Sequence, residues 1–167
     1  MDKKSILSSC TLCPRECGIN RFVTTGFCGS PAEPVVARAA LHMWEEPCIS
    51  GTEGSGAVFF CGCQLRCVYC QNYWVANSYT GKQITDDRLA EIFMELQCQN
   101  ANNINLVTPT HYTISIINAI EKARKAGLSI PVIYNCSGYE KAQTIDMLKG
   151  YIDIYLTDFK YMSSDFA

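Results

Sequence analysis

The chain of 167 residues has no apolar run that approaches the roughly 18 consecutive apolar residues of a membrane-spanning helix. Its first residues, MDKKSILSSC, lack the apolar stretch and the cleavage site of a secretory signal peptide. It also lacks a basic tract, and its 14 basic residues are balanced by 16 acidic ones. These absences argue against membrane and nucleic-acid binding, and we expect a cytoplasmic protein.

Cysteine, in contrast, is abundant, with 11 residues in the chain. Disulfides are rare in a reducing cytosol, and an odd number of cysteines cannot pair completely. Clustered cysteines in such a protein more often bind metal or carry out redox chemistry. Two groups are apparent, and three further cysteines stand alone. The first group is Cys10, Cys13, Cys17 and Cys28, the second is Cys61, Cys63, Cys67 and Cys70, and the isolated ones are Cys48, Cys98 and Cys136.

The sequence divides into two regions of different character. Residues 1–34 are rich in Cys, Gly and Pro without lasting periodicity, which predicts a small loop-rich segment. Residues 35–167 form the main region, in which PVVARAALHMW (34–44) has an ambiguous pattern that is compatible with an extended stretch. From residue 57 onward, short apolar runs alternate with amphipathic segments. The alternation predicts an α/β fold with parallel strands and right-handed crossovers.

Four strands and three crossover helices are predicted in this main region. The strands are AVFF (57–60), INLVTPT (104–110), PVIYNCS (131–137) and DIYLTDF (153–159), and the helices span 85–97, 114–126 and 141–150. Thr85 is the expected N-cap of the first of these helices. Polar residues follow the strands, where active sites of such folds lie. Four strands cannot close an eight-stranded barrel, so we expect an open sheet or a partial barrel.

The second cysteine group follows the first predicted strand in the segment CGCQLRCVYCQNY (61–73). Three of its members, Cys63, Cys67 and Cys70, have the spacing C-x3-C-x2-C. A cubane [4Fe-4S] cluster is usually held by four thiolates, so three would leave one iron open to a small chelating molecule. A structural zinc site that uses all four cysteines is the alternative. Cys61 would then be a ligand, whereas with a cluster it is a small core residue.

The pattern Cys63-x3-Cys67-x-Tyr69-Cys70 resembles the signature of the radical SAM superfamily. The resemblance implies a [4Fe-4S] cluster on these three cysteines, with S-adenosylmethionine (SAM) chelating the fourth iron. Reductive cleavage of SAM would yield a 5′-deoxyadenosyl radical that abstracts a hydrogen atom. The segments CTLCPRECGINR (10–21), LVTPTHY (106–112), YNCSGYE (134–140) and DIYLTDFKY (153–161) resemble the branch related to pyruvate formate-lyase activating enzymes, often labelled PflX-like.

This resemblance also implies a SAM site, partners and a longer barrel. Tyr69 would lie near the adenine, Asn135 and Ser137 near the ribose and carboxylate, and Asp158 and Lys160 near the methionine moiety. The implied partners are a reductant such as flavodoxin or ferredoxin and a glycyl-radical enzyme as protein substrate. The superfamily's Gly-Gly-Glu after the second strand is replaced by Thr108-Pro-Thr-His111. Family members form a six-stranded partial barrel, so a chain that stops after the fourth strand is expected to be a fragment, the product of a split gene or a degenerate copy.

Two further hypotheses come from the residues themselves. His111 follows the second predicted strand at the presumed active face, so it is a candidate contact for SAM or substrate, although a lone histidine is more often a hydrogen-bonding core residue. The spacing of the first cysteine group is suited to zinc, to an auxiliary iron–sulfur cluster, or to unligated thiols. The rival function is a non-catalytic metal-binding module, either zinc-stabilised or an electron-transfer iron–sulfur protein, or an inactive fragment.

Overall fold

The computed structural model describes residues 2–78, 80–160 and 163. They form an α/β fold around a mixed six-stranded sheet with the strand order β3-β1-β2-β4-β5-β6. Strands β2, β4, β5 and β6 run parallel, whereas β1 is antiparallel to both β2 and β3. The strands are β1 (Val35–His42), β2 (Ser55–Phe60), β3 (Lys82–Gln83), β4 (Ile104–Val107), β5 (Val132–Cys136) and β6 (Ile154–Thr157).

The four parallel strands confirm the four strands predicted from the sequence. The ambiguous segment 34–44 forms β1, and β3 was not predicted because it comprises two exposed residues without an apolar pattern. The edge strands β3 and β6 are not paired with each other in the part of the chain that the structure describes, so the sheet is open there. The partial barrel therefore stays a prediction. Tyr161, the last residue of the DIYLTDFKY segment, lies outside the described residues.

Three helices connect the parallel strands, as the periodicity predicted. Thr85 caps the first of them, because its side chain accepts a hydrogen bond from the backbone N–H of Arg88 at 3.1 Å. None of the helices in the described ranges is long and apolar enough to cross a bilayer. The helices are α1 (Lys3–Leu7), α2 (Pro47–Ser50), α3 (Tyr73–Ala76), α4 (Asp86–Cys98), α5 (Thr113–Lys125) and α6 (Ala142–Met147), with a 3-10 turn at Thr110–Tyr112.

The main core lies between one face of the sheet and the helices α4 and α5. Side chains alternate along a strand, so Ile104 and Leu106 of β4 face this core, and Val107 faces the other side. The face of the sheet opposite α4 and α5 is therefore available for a binding site. The core residues with full burial include Leu89 and Phe93 of α4, Ile116 and Ile120 of α5, and Val58, Ile104, Leu106 and Val132 of the sheet.

The cysteine-rich segment 1–34 packs on the main region through a small cluster of its own. Leu7, Leu12 and Ala32 contact Ile114 of α5 in this cluster. Lys3 forms an ion pair with Glu33 of the same segment at 2.9 Å and another with Asp86 at 2.8 Å, and the second pair links the segment to α4. So few buried apolar residues provide little stability by themselves.

Candidate functional site

A cleft of about 860 Å³ opens on the sheet face opposite the helices, at the carboxyl ends of the parallel strands. Loops that follow different parallel strands meet at this edge, so residues distant in sequence come together. All the predicted cluster and SAM residues except His111 line this one cleft. They are Cys63, Cys67, Cys70, Tyr69, Asn135, Ser137, Asp158 and Lys160.

The thiol of Cys63 lies on the cleft wall in an environment suited to a ligand. Its sulfur accepts hydrogen bonds from the backbone N–H groups of Leu65 at 3.3 Å and Arg66 at 3.5 Å. Burial raises the pKa of this thiol, and the neighbouring thiols of Cys67 and Cys70 raise it further, whereas the two N–H groups lower it. Bound iron would reverse this preference, because a cation favours the thiolate. The donor set therefore fits a metal centre.

The three cleft cysteines and Cys61 differ in their surroundings. Among residues 2–78, 80–160 and 163, no three Cys, His, Asp or Glu side chains converge as ligands of one ion, and this holds for both cysteine groups. Cys61 does not line the cleft. It is fully buried, and its thiol donates to the carbonyl of Thr80 at 2.6 Å, as expected of a core residue.

A buried polar network fixes the cysteine loop to the segment after β5, and the sequence analysis missed it. The side-chain amide of Gln64 donates to Glu140 at 3.2 Å and to Ser137 at 3.4 Å. The hydroxyl of Thr110 donates to the same carboxylate oxygen at 2.9 Å. Burial raises the pKa of Glu140. The only sequence signals were the position of Gln64 between two cysteines and the inclusion of Glu140 in YNCSGYE.

Charged and strained groups complete the rim of the cleft. Lys160 forms an ion pair with Asp158 at 2.6 Å, and Glu45 and Glu46 also line the cleft. Thr108 follows β4 with a φ of 57°, a left-handed conformation that is costly for a β-branched residue. Its N–H donates to the carbonyl of Asn135 at 3.0 Å, and its side chain lines the cleft. Thr108 was noted in the sequence only as part of the departure from Gly-Gly-Glu.

His111 lies outside the cleft, in contrast to its prediction as a SAM or substrate contact. It is 2% exposed, because the 3-10 turn that carries it leads into the core. Its Nε2 lies 2.8 Å from the carbonyl oxygen of Cys61, so this nitrogen is the donor. Burial and the nearby charge of Arg21 lower the pKa of His111 to about 3, which keeps the ring neutral.

The first cysteine group surrounds a second, much smaller cavity of about 20 Å³. All four thiols of the group line it, together with the side chains of Arg15, Arg21 and His111. Burial raises the pKa of the Cys13 thiol, and the proximity of the thiols of Cys28, Cys10 and Cys17 raises it further. The fold therefore gathers both cysteine groups that the sequence distinguished.

A family model described as a 4Fe-4S single cluster domain matches residues 49–166, which include the cysteine loop and strands β2 to β6. The chain belongs to this 4Fe-4S single cluster domain family. It is accordingly an iron–sulfur, metal-binding protein. The match does not reach the first cysteine group, which the family description leaves without a role.

An uncharacterized protein of Methanocaldococcus jannaschii is 32% identical to the chain over 171 aligned positions. The alignment covers 97% of this chain and 48% of that protein, so the chain spans about half the length of this relative. No solved structure matches the chain. The comparisons thus assign the 4Fe-4S single cluster family without naming an activity.

Proposed function

We propose that the chain is a radical SAM iron–sulfur protein of the PflX-like branch, with an oxidoreductase or activase-like activity. The observation that carries the proposal is the convergence of Cys63, Cys67, Cys70 and the five residues matched to the SAM site on one cleft. A cleft of about 860 Å³ is within the usual size of cofactor sites. The family match supports the cluster itself.

In this proposal Cys63, Cys67 and Cys70 would hold the [4Fe-4S] cluster, and three thiolates would leave one of its irons available to SAM. The chemistry that such a centre supplies when bound is one-electron cleavage of the sulfonium to methionine and a 5′-deoxyadenosyl radical, which takes a hydrogen atom from the substrate. Tyr69 offers its ring to the adenine.

The remaining polar residues of the cleft orient SAM. Asn135 lies near the end of β5 and Ser137 directly follows the strand, and they offer an amide and a hydroxyl to the ribose and carboxylate. The ion pair between Asp158 and Lys160 offers a carboxylate and an ammonium group to the methionine moiety, which itself carries an amino and a carboxylate group. The hydrogen bonds from Gln64 hold the cysteine loop against the Ser137 side of the cleft.

Partners and context follow from the same resemblance. We propose a glycyl-radical enzyme as the protein substrate, with the abstracted hydrogen taken from a backbone glycine, and flavodoxin or ferredoxin as the reductant. The setting is a reducing, cytoplasmic one, in keeping with free cysteines throughout the chain. The sheet would be the first part of a radical SAM partial barrel.

The test is anaerobic reconstitution with iron and sulfide, followed by EPR of the reduced protein with and without SAM and by quantification of 5′-deoxyadenosine. We expect a cubane signal that changes on SAM addition, together with reductant-dependent 5′-deoxyadenosine. Both are expected to disappear in Cys67→Ala and to persist in Cys98→Ala, since Cys98 is exposed at the end of α4 and does not line the cleft.

The second candidate is an electron-transfer or otherwise non-catalytic iron–sulfur module, which the family description favours because it names a cluster and no activity. A cubane signal that ignores SAM, without 5′-deoxyadenosine, would support this candidate and contradict the radical proposal. Zinc bound by the cysteine loop in place of a cluster would contradict both.

A further inference from the structure

We propose that Cys10, Cys13, Cys17 and Cys28 bind a single zinc ion, and that this ion holds the cysteine loop of the iron–sulfur site in position. The family match begins at residue 49 and describes a single cluster, so it assigns no role to these cysteines. Zinc binding by these cysteines does not require SAM, so this inference can fail or succeed separately from the proposed function.

The size of the cavity favours one ion over a second cluster. The four thiols border about 20 Å³, which is room for one water-sized occupant. A cubane of four irons and four sulfides does not fit without displacement of the surrounding loops. A single zinc with four thiolates is the usual structural metal site of small loop-rich segments. The thiols need to move inward to bind it, because they border the cavity without converging on one point.

Tight turns and a glycine hold the thiols around the cavity. The N–H of Cys10 donates to the carbonyl of Ile19 at 2.9 Å, and the carbonyl of Cys10 accepts from Gly18 at 3.0 Å. A Cβ added at Gly26 would lie 2.9 Å from the sulfur of Cys17, so this thiol packs directly against the backbone. The loops therefore place the four cysteines around one cavity.

The charges around the cavity also suit a zinc–thiolate centre. Four thiolates around Zn²⁺ leave a net charge of about −2, and two cationic residues, Arg15 and Arg21, are among the residues that line the same cavity. Arg21 is 3% exposed, and its guanidinium donates to the carbonyl oxygens of Ser30, Pro31 and His111. Within the described residues it pairs with no carboxylate, so a buried cation lacks an anionic partner that the bound site would provide.

An unpaired nitrogen gives independent evidence of a missing partner at this cavity. The Nδ1 of His111 is buried without a hydrogen-bond partner in the described structure, and the ring lines the cavity. Since Nε2 carries the proton, Nδ1 presents a lone pair, which a cationic centre would stabilise. We assign the four ligand positions to the thiolates, because they lie on the loops that border the cavity. His111 is instead held in the core by the hydrogen bond from its Nε2 to the carbonyl oxygen of Cys61.

Direct contacts connect this site to the cysteine loop. The N–H of Cys63 donates to the carbonyl of Cys28 at 3.3 Å, and Nε of Arg15 donates to the carbonyl of Gln64 at 3.0 Å. The ring of Phe27 lies 3.9 Å from the guanidinium of Arg15 and 5.0 Å from that of Arg66. A zinc ion that fixes Cys28 would thus fix the backbone of a cluster ligand.

The experiment measures zinc in the full chain with the triple substitution Cys63→Ala, Cys67→Ala and Cys70→Ala, which removes the cluster ligands. We expect about one zinc per chain by elemental analysis. Adding Cys13→Ser is expected to remove most of it, adding the control Cys48→Ser is expected to leave it unchanged, and Cys17→His is expected to retain it, because imidazole also binds zinc. Replacing the zinc by cobalt is expected to give the absorption of a tetrahedral thiolate site. This measurement needs no substitution in the first cysteine group.

Several results would overturn the inference. Zinc well below stoichiometry in the triple variant, with the four thiols alkylated as fast as Cys48, would show that the thiols are unligated. Iron and sulfide bound by the first group would establish a second cluster instead. Zinc that stays bound in the Cys13→Ser variant would exclude this ligand set. Zinc that is lost in His111→Gln but stays bound in Cys17→Ser would show that the fourth ligand is the imidazole of His111 and not the thiolate of Cys17.

Discussion

Lowering the pH from 7 to 5 is expected to destabilise the fold through His111. The folded-state pKa of this histidine is about 3, against 6.5 for an ordinary histidine, because burial and Arg21 disfavour the imidazolium. The unfolded chain therefore binds a proton between pH 6.5 and 3 that the folded chain does not. Stability from this group is fully present above pH 6.5 and is lost as the pH falls towards 3. With 1.36 kcal/mol per pH unit, the loss at pH 5 is about 2 kcal/mol relative to pH 7.

Urea unfolding followed by circular dichroism at pH 7 and pH 5 measures this loss. His111→Gln is expected to be less stable at pH 7, because it loses packing, yet to lose about 2 kcal/mol less than the parent on acidification. His42→Gln keeps His111 and is expected to retain the full acid sensitivity. All proteins are compared in the same metal state, so that proton uptake by the thiolates cancels. An equal acid-induced loss in His111→Gln and the parent would refute the reasoning.

Three other substitutions test the packing that supports the sites, each by urea unfolding. Gly62→Ala is expected to cost about 2–5 kcal/mol of stability, because its Cβ would lie 2.6 Å from the carbonyl oxygen of Cys28. The control Gly150→Ala has a similar positive φ but open space around the Cβ, so it should cost only about 1–2 kcal/mol. Equal costs would argue against the clash at Gly62. Thr85→Ala is expected to cost about 1 kcal/mol through loss of the α4 cap, and no change would show that the cap is dispensable. Phe93→Ala is expected to cost about 3–5 kcal/mol because the ring is fully buried, and a cost below 1 kcal/mol would contradict its place in the core.

Local patterns were sufficient for the parallel part of the fold. The apolar positions of α4 recur at helical spacing, Thr85 stands where a cap is needed, and the strands are short apolar runs between turn residues. Strand β3 could not be predicted in this way, because two exposed residues become a strand only by pairing with Val35 and Val36 of β1. Its existence depends on a partner distant in sequence.

The candidate site was likewise predictable from local patterns only in part. Cysteine spacing and the polar residues after each strand indicated Cys63, Cys67, Cys70 and the cleft, because parallel topology brings those strand ends to one edge. The bonds from Gln64 to Glu140 and Ser137 could not be predicted from local patterns, since they join loops more than 70 residues apart.

The sequence by itself determined the α/β class, the two cysteine groups and the order of the four parallel strands and their three connecting helices, because these depend on residue type and short-range spacing. Tertiary structure alone decided that His111 turns away from the cleft and that the first cysteine group shares a cavity with Arg15 and Arg21. It also decided that the carbonyl of Cys28 contacts the N–H of Cys63. These outcomes depend on which surfaces exclude water and which backbone groups meet across the fold, and neither is encoded in local spacing.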